Sequence, residues 1–194
     1  MSQLCALADV KTYLGITNTN QDAVITSLIT NASAMIESYC NRVFASANYT
    51  ETRNGTGGYR VYAANAPITA VSAVTVDGIS VPAAPAPSGN GLGYGFVFDS
   101  DLIYIRPGVP YSGQPTAFNK GIQNVTLAYT AGFTTIPSDV NQACVELVAD
   151  KLAKQSRIDK KSETLGQQQT VSFDLSDMPP RVKTALAQWR RWPA

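Results

Sequence analysis

The sequence contains no histidine. That removes the commonest general base, the usual orienting partner of Ser and Cys nucleophiles, and the commonest metal ligand. Charge is scarce too: 15% of the 194 residues are Asp, Glu, Lys or Arg, against about 25% in an ordinary globular chain. Cysteine is limited to Cys5, Cys40 and Cys144, which have no C-x-x-C spacing. Neither a zinc site nor a redox pair is therefore expected, and no other cofactor is implied. Cys40 and Cys144 fall within apolar helical patterns and read as small buried hydrophobes. No stretch reaches the roughly 18 apolar residues of a membrane-spanning helix, and Met1–Cys5 lead into no signal-like apolar run. The expectation is a soluble protein, made and assembled in a reducing cytoplasm, with no membrane partner.

What charge there is lies unevenly. Residues 1–150 hold six Lys/Arg against ten Asp/Glu, whereas residues 151–194 hold nine against four. An acidic body with a basic C-terminal segment suits docking on an acidic partner, or simply gives a solvated basic face. The scarcity of charge leaves much uncharged polar surface, available either to neighbouring subunits or to water.

Periodicity divides the chain into helix, then strand, then helix. Residues 7–14 read as a short helix stopped by Gly15. Asn20 is a candidate N-cap for a helix over 21–43, about 33 Å long, whose apolar stripe runs from Val24 to Val43. From Tyr49 the period becomes two. Strands are expected at Tyr49–Arg53, Tyr59–Tyr62, Ile68–Val76, Ile79–Val81, Phe96–Phe98, Leu102–Arg106 and Val125–Tyr129. Asp77-Gly78 marks a tight hairpin. Residues 82–95 and 107–121 read as long loops. Helix returns after Pro137-Ser138-Asp139, with Val140, Cys144, Leu147, Val148 and Leu152 on its inner face. Residues 158–170 are polar enough for a linker, Val171–Leu175 alternates like a strand, and Pro179-Pro180 opens an amphipathic segment over Arg181–Trp192. The class is α+β: a helical frame from the N- and C-terminal helices, with an inserted antiparallel β-rich subdomain. The expected divisions are 1–48 with 134–157, then 49–133, then 158–194.

Several of these segments, in this order, resemble phage head–tail connector proteins. Leu7–Ile16 followed by Asp22-Ala23-Val24-Ile25 resembles their opening. Ala34–Phe44, Pro67–Gly78, Tyr129-Thr130-Ala131-Gly132-Phe133 and Ile136–Val140 continue the likeness over most of the chain, except the longer middle of 82–121. The resemblance implies a virion protein of the neck, forming a homo-oligomeric ring of twelve subunits beneath the portal. DNA would pass through its lumen without sequence-specific binding, and a stopper or tail protein would sit on its other face. It also implies that the C-terminal segment docks on the portal. Phe173, Leu175, Arg181, Leu186, Trp189, Arg190, Arg191 and Trp192 are the candidate contacts, Trp and Arg being the types most enriched at interface hot spots. The alternative for this segment is that it folds back on its own helices.

Other functions find less in the residues. Glu37, Glu51, Glu146 and Glu163 form no recognisable acid/base pair, so no catalytic residue is named. Asn54-Gly55-Thr56-Gly57-Gly58 lacks the Lys-Ser/Thr and the following helix of a phosphate loop. Lys151, Lys154, Arg157, Lys160 and Lys161, followed by Arg181, Lys183, Arg190 and Arg191, could meet DNA phosphates, but a net charge of +1 is low for a dedicated nucleic-acid domain. A stopper, a tail terminator and a β-rich carbohydrate-binding module remain as rival readings.

Overall fold

The computed structural model describes residues 3–86, 93–106, 113–155, 162–165, 169–172 and 177–191. It divides into a helical unit, residues 1–44 with 135–194, and a β unit, residues 45–134. Each builds its own core.

The helical unit opens with α1 (Leu7–Leu14). Asp9 Oδ2 accepts from the Ala6 backbone N–H at 3.1 Å, satisfying one orphan donor of the first turn. Gly15 ends the helix in the left-handed conformation at φ 68°, as its sequence implies. Next comes α2 (Asp22–Cys40), 19 residues and about 28 Å long. It is shorter than the periodicity suggests at both ends. Its N-cap is Gln21 rather than Asn20, whose own N–H is engaged with Asn18 Oδ1. Its C-terminus falls at Cys40, because Asn41 adopts φ 50° and the N–H groups of Asn41 and Arg42 turn back to Ser38 and Glu37. Asn tolerates that conformation, and the helix stops there. Val24 and Val43, counted in the apolar stripe, are exposed.

Helix α3 (Ser138–Lys154) buries Val140, Ala143, Cys144, Val145, Leu147 and Val148. These meet Ile25, Ile29, Ala32 and Ile36 of α2 in one core. Lys151 and Lys154 occupy its last turn, where cations suit the helix dipole. The last helix, α4 (Pro180–Leu186), packs on α3 through Val182 and Leu186, and a 3-10 turn, Ala187–Trp189, follows it.

Strands β1 (Ala47–Gly55), β7 (Gly121–Ala131), β3 (Ile68–Val76) and β4 (Ile79–Val81) form an antiparallel four-stranded sheet in that spatial order. Strands β2 (Arg60–Tyr62), β6 (Leu102–Arg106) and β5 (Gly95–Phe98) form a three-stranded one. Val74, Val76, Val125, Leu127 and Tyr129 of the first sheet share a core with Phe96, Ile103 and Ile105 of the second. This is the alternation the sequence displays, one face apolar and one polar. Asp77 (φ 52°) and Gly78 (φ 80°) make the β3–β4 turn, both in the left-handed region a primed turn demands. Asn54 and Gly55 end β1, and Thr56–Gly58 carry the chain on toward β2.

The two long loops are less loose at their ends than composition implies. The N–H of Ala84 donates to Phe96 O at 2.9 Å and that of Phe96 to Pro82 O at 2.8 Å, so 82–84 is laced to β5. Tyr94 is buried and its hydroxyl donates to Pro115 O, while Phe118 fills the core. The remainder of each loop, 87–92 and 107–112, lies outside the described residues.

The linker expected over 158–170 contains a hairpin. Strands β8 (Ser162–Leu165) and β9 (Gln169–Ser172) pair from Ser162↔Ser172 to Leu165↔Gln169. β9 meets the strand expected over Val171–Leu175 at Val171 and Ser172; residues 173–175 lie outside the described residues.

Candidate interaction surface of the helical unit

The C-terminal end of α2 and the chain after α4 converge. The Arg191 N–H donates to Cys40 O at 2.9 Å, satisfying a carbonyl that the ending helix leaves open. Phe44 and Trp189 meet edge to face with centroids 6.1 Å apart. The Arg42 guanidinium carbon lies 5.4 Å from the Phe44 ring centre and 6.0 Å from that of Trp189. Arg190 covers Tyr39 at 5.6 Å. Such stacking holds a guanidinium in place over the aromatic faces. Burial, and then the neighbouring Arg191, push the Arg42 guanidinium below its ordinary value. Three arginines also stand where the helix dipole offers partial negative charge; the last turn of α2 has no cation of its own.

A second connection ties α4 to α3. Arg181 Nε lies 3.2 Å from Glu146 Oε2, and Gln188 Nε2 donates to Asp139 Oδ2 at 2.9 Å. These pairs bridge a groove of about 430 Å³ bordered by Ser138, Gln142 and Val182.

Of the eight residues expected to contact the portal, five fall within the described residues. Leu186 is fully buried and belongs to the core of its own unit. Trp189 is half-buried in the aromatic cluster, and Arg191 is half-buried beside it. Arg181, 62% exposed, and Arg190 remain on the surface. Phe173, Leu175 and Trp192 lie outside the described residues. Residues 177–191 thus fold against their own helices. Tyr39, Arg42 and Phe44, unremarked as site residues in the sequence, complete the cluster. Asn41, a residue that readily ends a helix, was the one readable sign that Arg42–Phe44 leave the helical path.

Three of the four glutamates weighed for catalysis have structural partners. Glu51 accepts from the Ala64 N–H, Glu37 from the Phe44 N–H, and Glu146 from Gln142 Nε2. Among the described residues no three His, Cys, Asp or Glu gather as a metal site, and no helix is long and apolar enough to cross a membrane.

A family model for the head completion protein matches residues 3–192. The chain belongs to the head completion protein family. No curated protein matches the sequence of this head completion protein. Its fold is similar to that of a chain in the neck of a native gene transfer agent particle computed with C12 symmetry: TM-score 0.55, 19% identity, 97% of this chain and 89% of that chain. A chain in the neck of an empty particle computed with C6 symmetry matches at TM-score 0.54 and 19% identity, covering 98% and 91%. A chain of the native virion matches at TM-score 0.54 and 20% identity, again covering 98% and 91%.

Proposed function

We propose that this head completion protein is a head–tail adaptor. It forms a ring of twelve copies below the portal, extends the DNA channel and carries the stopper or tail proteins on its far side. The family match over residues 3–192 carries the reading. The fold likeness to neck chains, one in a reconstruction with C12 symmetry, supports the ring. The role is structural, and it sits in the virion neck. The portal-facing contacts are Arg181, Trp189, Arg190 and Arg191, with Phe173, Leu175 and Trp192 beyond the described residues. Leu186 supports them from the core. Arginines held over aromatic rings are suited to carboxylates on the portal, the pairing that gives both orientation and affinity at an interface. DNA passes without being held. Native mass spectrometry of the subunit mixed with its portal tests the assembly. Twelve adaptor copies per portal ring are expected, and a single copy, or no complex, refutes the reading.

A further inference from the structure

Cys5 and Cys144 are separated by 139 positions in sequence, yet their sulfurs lie 3.2 Å apart inside the helical unit. Cys5 sits on the irregular segment before α1, and Cys144 in the middle of α3. Both are buried. The segment is seated by polar contacts on either side. The Leu4 N–H donates to Ser33 Oγ at 3.0 Å, and Asn141 Nδ2 donates to Leu4 O at 3.3 Å. Ser33, the sole buried polar side chain among the described residues, also stands 3.7 Å from Cys144 Sγ. Cys40, equally buried, serves as the internal control; its thiol is pushed up to about 11 by burial and is not at a second sulfur.

We infer that Cys5 and Cys144 are a latent disulfide, reduced where the chain is made and closed when the folded protein meets an oxidising medium. Sulfurs already in contact need to approach by only about 1.2 Å to reach bonding distance, and the segment bearing Cys5 is not fixed in a helix. The oxidant is a small-molecule disulfide. When the segment lifts, the Cys5 thiolate attacks one sulfur of the oxidant, whose S–S bond breaks and releases one small thiolate. As the segment reseats, the Cys144 thiolate attacks Cys5 Sγ, the mixed disulfide breaks, and the second small thiolate leaves. Two protein thiols are oxidised, one small disulfide is reduced to two thiols, and the protons pass to the leaving groups. The order follows from the geometry: Cys5 lies on the segment that can lift, which frees its thiol from Cys144 and from burial, whereas Cys144 stays fixed in α3 with Ser33 Oγ 3.7 Å from its sulfur to support the thiolate.

Closing this bond pins the N-terminal segment to α3 without touching the β unit. It needs no ring and no portal, so its failure would leave the adaptor reading untouched. The full chain, purified reduced, is incubated with oxidised glutathione under native conditions and then examined by intact mass, thiol titration in denaturant and peptide mapping. The expected product is lighter by two hydrogen atoms, retains one titratable thiol of three, and yields a Cys5–Cys144 linked peptide. Cys40→Ser still forms it; Cys5→Ser does not. The melting temperature followed by tryptophan fluorescence should rise by about 5–15 °C and return on reduction. Three retained thiols, a lasting glutathione adduct without the cross-link, or a link to Cys40 overturns the inference. The peptide map of the unsubstituted chain decides it even if a variant fails to fold.

Discussion

Truncating Leu186 to Ala asks whether the C-terminal segment belongs to the helical unit's core or hangs free as an arm. Leu186 is fully buried on α4, which packs against α3. Leu→Ala at such a site costs about 2–5 kcal/mol, the transfer of the lost methyl groups plus the cavity left behind. The groove beside α4 gives the neighbours some room to relax, which places the expected cost near the middle, about 3 kcal/mol. For a chain of this length that corresponds to a fall in Tm of about 6–12 °C. Both tryptophans, Trp189 and Trp192, lie in the C-terminal segment, so their fluorescence reports on the unit in question. Urea unfolding followed at that signal gives the midpoint, and an unchanged slope confirms that the same surface unfolds. A loss under about 0.5 kcal/mol would mean that α4 does not pack on α3 in solution, and that the basic segment is a free arm after all.

Arg190→Glu should lower the melting temperature by only about 2–4 °C, the cost of an exposed side chain's contact with Tyr39, yet weaken portal binding at least tenfold in a sedimentation assay; unaltered binding removes Arg190 from the interface. Gly132→Ala should destabilise the β unit by more than about 2 kcal/mol in urea unfolding, since Gly132 has φ 112° and a Cβ there would collide with the Ala45 carbonyl oxygen. Asp77 accepts from Asn119 Nδ2 at 2.8 Å and from Asn124 Nδ2 at 2.9 Å, and these bonds hold its carboxyl below the ordinary range. Its contribution is therefore complete above the unfolded pKa of about 4 and is lost as pH falls through the lowered folded value. Asp77→Asn keeps a residue that tolerates φ 52°, so its urea midpoint should fall less than the parent's between pH 5 and pH 2.5; equal falls would show that the carboxylate is not the cause.

What the residues reveal in advance is whatever depends on neighbours along the chain. Alternation marks β3 because Val74 and Val76 face the core while Ala73 and Thr75 do not, and Asp77-Gly78 announces its turn through backbone sterics alone. The pairing of 162–165 with 169–172 is legible only at Val171 and Ser172, which fall within the strand expected over Val171–Leu175; Ser162, Glu163 and Thr164 carry no apolar period to announce the other strand. The site lies deeper still, because it is assembled from residues far apart in sequence. Tyr39–Phe44 read as the tail of a helix and 187–191 as an amphipathic end; what joins them is a carbonyl at the end of α2 in need of a donor and a guanidinium in need of two rings. The Cys5–Cys144 contact is of the same kind. Spacing rules look for cysteines close in sequence and passed over a pair brought together by α3 and the segment before α1. In a chain with no histidine and few charges, the informative chemistry lies in these long-range pairings. The basic-aromatic cluster would act at an interface and the thiol pair within the unit, so each can be disabled while the other is kept.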